Sequence, residues 1–418
     1  LDLVAGTGTG GDAEGDSFVA IERVVGSAYN DTVLFGNNIH EEFIMGDGMD
    51  WVQASAGGDV VDGGDGLHDG IWFGFSTAGV SVNLAAGTSA GGYAQGMTIT
   101  NIESIVGSAY NDSLIGDAND NTFIGRQGAD YLDGGDGIDT LGYDYSNAAV
   151  FINLMINSAT GGEATGDTIL NFENIVGSSY GDNLVGTNGV NIIYGQDGND
   201  AIGGAAGDDK LYGGAGNDAI YGNSGADLID GGDGIDTAYY LDATTGVVVN
   251  LTDSSLNTGD AAGDTFVSIE NITGSLFADT ITGNAGANSL YGSDGNDIIE
   301  GGAGADYIDG GAGFDYVSYE HSSAGVIVNW QTGQTAGGDA TGDGLVSIEG
   351  TIGSAFNDVF TGYYAAETYL AGAGDDQVIA YEGNDIIDGG EGNDLINGGA
   401  GADTINGGNG IDTVTYAT

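Results

Sequence analysis

The sequence predicts an all-β fold, a right-handed parallel β-helix solenoid built from nine-residue units and interrupted by 34-residue β-rich spacers. Three observations lead there. A frame of the form G-x-x-x-x-D-x-U-x, with U apolar, recurs in tandem. A second kind of segment, constant in length, separates the runs. The composition, with 84 glycines and neither proline nor cysteine, removes collagen, disulfide scaffolds and thiolate metal sites. A fixed period outranks local propensity here, because each unit must bury its apolar face against its neighbours.

The most regular run begins at Gly177 and restarts at Gly186, Gly195, Gly204, Gly213, Gly222 and Gly231. A second run of seven starts at Gly353, with shorter ones of five units at Gly274 and four at Gly107. An irregular run of five starts at Gly26, with Phe35 and one residue near His68 read as insertions. Glycines at positions 1, 2 and 4 are expected to supply positive φ for a tight turn. The following x-U-x alternates as a short strand does. Turn plus strand is half a coil, so two units close one turn and successive coils lie about 4.8 Å apart. The apolar positions, such as Leu184, Ile193, Ile202 and Leu211, are then core.

Arrays therefore occupy 26–72, 107–142, 177–239, 274–318 and 353–415. Spacers occupy 73–106, 143–176, 240–273 and 319–352. Each spacer opens on an aromatic residue (Phe73, Tyr143, Tyr240, Tyr319), continues into SVNL, FINL, VVNL or IVNW, and carries a Glu at one fixed place (Glu103, Glu173, Glu270, Glu349). Residues 1–25 match the last 25 positions of this segment and 416–418 begin another, so a longer periodic protein is expected. If each spacer adds whole coils, successive spacers fall on the same edge after four units and on opposite edges after five or seven.

Charge sets the next constraint. Against 63 acidic side chains stand three basic ones, giving a formal charge of -60. Such a chain repels itself, nucleic acid and anionic lipid, and a compact state needs cations. No apolar run is long enough to insert in a membrane. Stacking brings the Asp of one unit close to the Asp two units later, and two carboxylates a few ångströms apart repel strongly. A hard cation between them, held by carboxylates and turn carbonyls, reverses the sign. Calcium suits that site because it accepts six to eight oxygens in loose geometry. His40, His68 and His321 are too scattered for zinc or copper.

The units GGAGNDAIY, GGEGNDLIN and GGAGADTIN resemble the GGxGxDxUx nonapeptide of repeats-in-toxin (RTX) proteins. That resemblance implies a calcium-loaded parallel β-roll that folds outside the cell after type I secretion. The spacers are similar to those of large bacterial RTX surface proteins.

Departures from the pattern are themselves regular. The first unit of each array keeps its Asp (Asp31, Asp112, Asp182, Asp279, Asp358) but has Ser at position 2 and an aromatic residue at position 4. The second unit has Glu41, Asn121, Asn191, Asn288 or Glu367 instead of Asp. These two units are expected to cap the preceding spacer, and calcium sites to begin at the third. The candidates are Asp50 and Asp59; Asp130 and Asp139; Asp200, Asp209, Asp218, Asp227 and Asp236; Asp297, Asp306 and Asp315; and Asp376, Asp385, Asp394, Asp403 and Asp412. Asp130 and Asp139 have no same-side successor within their array and need a ligand from the next segment. The spacer acids Asp167, Asp264 and Asp343 are further candidates, and Met97 replaces that Asp in 73–106. The spacer Glu either binds calcium or caps the junction, while the opening aromatics are junction packing.

No G-x-S-x-G, H-E-x-x-H or phosphate-loop motif occurs, and a catalytic pair needs unlike environments where this chain offers alike ones. The expectation is a non-enzymatic, secreted or cell-surface structural segment such as a surface layer, filament or adhesin stalk. Its partners would be calcium, further repeats or self-association, and cell surface or matrix. The alternatives are a noncatalytic module of a secreted protease, lipase or alginate epimerase, or a glycan-binding module.

Overall fold

A computed structural model describes residues 1–34, 36, 38–66 and 68–416. The insertion read at Phe35, and Leu67 beside the one read near His68, lie outside the described residues, as do 417–418 of the last spacer start. The described residues form short strands and single 3-10 turns, and no helix among them is long and apolar enough to cross a membrane. The chain divides into two compact units, one of 1–205 with 210–215 and the other of 206–209 with 216–418.

Within each unit, alternate strands belong to two parallel ladders. Partners inside an array are two repeats apart, as in Ser113↔Tyr131 and Ser289↔Tyr307. Two nonapeptides thus make one coil. The central residue of each strand points inward, and Leu114, Leu132, Leu184, Ile202, Ile281 and Ile299 are all 0% exposed. One apolar side chain per half coil makes a continuous but thin core.

Each spacer ends one ladder, starts another and lets the opposite ladder run through. In 143–176, strand Thr168–Leu170 is the last rung on Tyr131–Asp133, and Phe151–Asn153 is the first rung beneath Asn183–Val185. Strand Asn174–Val176 meanwhile joins Thr140–Gly142 to Ile192–Asp197. The free edge of the new ladder is covered by an antiparallel strand, Ser158–Thr160. Thr88–Ala90 and Gln334–Ala336 do the same in their spacers, and 240–273 keeps a single antiparallel bridge, Val248↔Thr258. Such cover removes an open template for foreign strands.

In the running ladder a spacer advances the register by one rung, as in Gly70↔Ser104, Thr140↔Asn174, Thr237↔Asn271 and Tyr316↔Gly350. A spacer therefore counts as one whole coil. The spacers at 73–106 and 143–176, four units apart, interrupt the same side: the ladder through Ser104–Val106, Thr122–Ile124 and Thr140–Gly142 passes both. Those at 240–273 and 319–352, five units apart, interrupt opposite sides. The ladder through Thr237–Tyr239 and Asn271–Thr273 passes the first and stops at Gly344–Val346 in the second.

The expected role of glycine needs one correction. Positions 2 and 4 do have positive φ, as at Gly302 (+85°) and Gly304 (+152°). Position 1 does not. There the missing Cβ leaves room for the carboxylate of the same unit: a Cβ on Gly125, Gly222 or Gly301 would come closer than 3.0 Å to Oδ2 of Asp130, Asp227 or Asp306. That demand is soft, and Met45, Ala371 and Ala380 take position 1 elsewhere. Position 4 is strict because its φ, +152° at Gly304, is one that side-chain-bearing residues rarely adopt, whereas position 2 lies near +80° and also takes Gln196, Ser293 and Tyr381.

Candidate metal sites in the turns

Within the arrays the turn places the repeat aspartates in two columns. From the third unit onward the repeat Asp is buried except at Asp403 and Asp412, and in most units its Oδ1 accepts the N–H of the residue one coil back. Asp112 N–H reaches Asp130 Oδ1 at 2.8 Å, Asp279 reaches Asp297 at 2.8 Å, and Asp358 reaches Asp376 at 2.8 Å. Asp200, Asp209 and Asp218 are equally buried, at 1–3% exposure. The N–H of Asp182 reaches Asp200, and those of Asp209 and Asp218 reach Asp227 and Asp236.

The second oxygen is different. Oδ2 of Asp50, Asp130, Asp139, Asp227, Asp236, Asp297, Asp306, Asp315, Asp376, Asp385 and Asp394 is buried without a hydrogen-bond partner. An unpaired buried carboxylate oxygen is costly, and its regular recurrence calls for a positive partner. Among the described residues no three acidic or histidine side chains converge on one point. A cation here would draw the rest of its oxygen shell from carbonyls and water, which suits a hard ion.

First and second units behave as caps. Ser108 donates its N–H to Asp112 Oδ2 and its hydroxyl to Oδ1, at 2.6 and 2.8 Å, and the spacer N–H of Val80 adds a bond at 2.7 Å. Asp182, Asp279 and Asp358 repeat this set with Ser178, Ser275 and Ser354. In second units Asn121 and Asn288 accept from the backbone of Asp117 and Asn284, and Glu367 accepts the Tyr369 hydroxyl at 2.8 Å. Local donors thus occupy the oxygens that stand open in later units.

The spacers extend both columns. Asp130 N–H donates to Asp167 Oδ1 at 2.9 Å, and Asp139 N–H donates to Glu173 Oε2 at 2.8 Å. Asp264, Asp343, Glu270 and Glu349 take the same places. The four-unit array receives its missing carboxylates from the next segment in this way. The spacer Glu caps the column, and Asn288 returns an amide hydrogen to the Glu270 carbonyl at 2.7 Å. The opening tyrosines pack at the junction, 1–3% exposed, and also donate: Tyr143, Tyr240 and Tyr319 reach Oδ2 of Asp167, Asp264 and Asp343 at 3.0, 2.7 and 3.0 Å.

Three candidates depart from the common geometry. Asp59 is buried, but the Ser55 hydroxyl donates to its Oδ2 at 3.1 Å, because Ser55 stands at position 2 of that unit. Asp403 and Asp412 accept the N–H groups of Asp385 and Asp394 at 3.2 Å and remain partly exposed, with no later rung over them. One residue was missed. Asp69 is 0% exposed, accepts the Asp50 N–H at 2.7 Å and has an unpartnered Oδ2. The irregularity beside His68 shifts it out of phase counted from glycine, but counting back two from the inward Ile71 finds it.

Burial, opposed only by one backbone hydrogen bond, raises these carboxylates. Asp130 is pushed up to about 8, first by burial and then by the charges of Asp167, Asp112 and Glu163. Asp227, Asp297 and Asp376 rise to about 7, and Asp139 and Asp236 to about 6, with burial again the first cause. The spacer Asp167, Asp264 and Asp343 rise to about 6, because the backbone bond and the tyrosine hydroxyl offset part of the burial. Without a cation the folded turns favour protonated carboxyls.

The family model of the RTX calcium-binding nonapeptide repeat matches residues 46–66, 106–141, 176–238, 268–317, 352–378 and 379–414, more than half of the chain. No curated protein sequence matches it significantly.

Proposed function

The chain belongs to the RTX calcium-binding nonapeptide repeat family, and on that premise we propose that it is a calcium-stiffened structural segment of a larger secreted bacterial protein. A surface layer, a filament or an adhesin stalk is the setting, outside the cell or on its surface. The observation that carries this reading is the recurrence of buried, unpartnered Oδ2 atoms at Asp50, Asp130, Asp297 and Asp376, the third units of four arrays, and at Asp227 and Asp236 in the fifth. Calcium supplies divalent charge to those oxygens and turns repulsion along each column into attraction. Asp50, Asp69, Asp130, Asp139, Asp200, Asp209, Asp218, Asp227, Asp236, Asp297, Asp306, Asp315, Asp376, Asp385 and Asp394 hold it in this reading. The chain's own part is positional: glycine at position 4 lets the carbonyls stack, and the inward apolar residue fixes the distance between rungs.

Repetition supports a structural role over a catalytic one. Within the arrays most pairs are like their neighbours, whereas acid–base catalysis needs two groups held in different states. Far-UV circular dichroism of the chain in excess chelator, followed by a calcium titration, tests the proposal. The expected result is a disordered spectrum that converts cooperatively to β. Full β content in chelator would defeat it.

A further inference from the structure

Four junctions join an array to the spacer that follows it, and three of them share chemistry that the fourth lacks. At the three, a buried array aspartate with an unpartnered Oδ2 (Asp130, Asp227, Asp306, 1–2% exposed) donates its N–H to a spacer aspartate (Asp167, Asp264, Asp343). The spacer aspartate is oriented by a buried tyrosine hydroxyl. A third acid, Glu163, Asp260 or Asp339, sits on the 3-10 turn Gly162–Ala164, Gly259–Ala261 or Gly338–Ala340, four residues before the spacer aspartate. It stands back from the carboxylate pair but within electrostatic reach of it.

The junction at 73–106 keeps the array aspartate, Asp59, but replaces all three spacer groups. Phe73 stands for the tyrosine, Met97 for the spacer aspartate and Tyr93 for the third acid. Phe73 and Met97 are both buried, so apolar side chains stand where the other three junctions carry polar ones. At that junction alone the array aspartate, Asp59, has its Oδ2 satisfied, by Ser55. If the Tyr–Asp pair served packing only, its loss would not require a new donor one turn away on Asp59. The joint change is what removal of a bound cation demands: its negative ligands go, and a neutral donor takes over the oxygen left behind.

We propose that the junctions at Asp130/Asp167, Asp227/Asp264 and Asp306/Asp343 are a second class of divalent-cation site, which ties each spacer to the array before it, and that the junction at Asp59/Met97 holds no ion. Calcium matches a donor set of two carboxylates completed by carbonyls and water, with the third acid adding negative charge nearby. This rests on the calcium reading above, but concerns residues outside the nonapeptide pattern.

The test is anomalous diffraction from crystals of the chain grown with terbium in place of calcium. Peaks are expected along the nonapeptide columns and at the three junctions, with none between Asp59 and Met97. Peaks in the columns but not at the three junctions would overturn this inference and leave the proposed function standing, whereas no peaks anywhere would defeat both. Ion counting by equilibrium dialysis with calcium gives an independent readout. Asp264→Asn should bind one ion fewer per chain. Should that variant fail to fold, the combined change Ser55→Gly, Phe73→Tyr, Tyr93→Asp and Met97→Asp should bind one ion more. An unchanged count in whichever of these variants folds would overturn the proposal.

Discussion

The junction at 54–106 and the junction at 301–352 share one backbone and differ in chemistry. Both run a ladder through the spacer, Gly70↔Ser104 in one and Tyr316↔Gly350 in the other. Both close the second ladder with the strand after the 3-10 turn, Thr98–Thr100 on Val60–Asp62 and Gly344–Val346 on Tyr307–Asp309. Yet the first is closed by Phe73, Met97 and the Ser55–Asp59 bond, and the second by Tyr319, Asp343 and an open Asp306 oxygen. Path and charge are therefore separable. Glycine position and inward apolar residues draw the path, and the carboxylates decide which parts of it survive without a cation.

Calcium removal gives the largest expected effect. As calcium is withdrawn stepwise, hydrogen exchange followed by mass spectrometry should show 301–352 losing protection before 54–106. Equal exchange in the two segments would break the comparison. Next comes pH in the metal-free chain. Because the folded-state carboxyls lie above the ordinary value of 3.8, their contribution is fully present below that value and is lost as pH rises through about 6 to 8. Metal-free β content, followed by circular dichroism, should fall across that window, and calcium affinity should rise across it as the ligands ionise.

A smaller and local effect belongs to glycine at position 4. Gly304→Ala places a Cβ against the Gly286 carbonyl at a φ of +152° and should cost about 3 kcal/mol in the calcium-loaded protein, read by thermal unfolding. At Gly302, where position 2 elsewhere accepts Gln196, Ser293 or Tyr381 at positive φ, the same change should cost about 1 kcal/mol. The smallest effect sharpens the junction contrast. Tyr240→Phe leaves Asp264 Oδ2 without its donor and should destabilise by roughly 1–2 kcal/mol. Phe73→Tyr buries a hydroxyl opposite Met97 and should not stabilise.

The nine-residue period, the coil of two units and the capping role of first and second units were legible in the sequence, because each depends on which residue recurs at which phase. The spacer's weight of one whole coil was legible only as a condition on where the next spacer falls. What the spacer Glu does was not legible: cap and ligand are the same residue type at the same phase, and only the Asp139 N–H on Glu173 Oε2 shows the bond. Asp69 escaped because phase was counted from glycine, whereas burial follows the inward apolar residue.

By itself the sequence determined the path of the chain, since a turn that demands glycine at position 4 and a strand with one inward apolar residue leave a single way to stack. Only the tertiary structure decided how the inner oxygen, Oδ1, of each aspartate is engaged. Its donors lie 18 to 37 residues away, brought within hydrogen-bond reach by coil stacking and by the spacer's return to the ladder it closes.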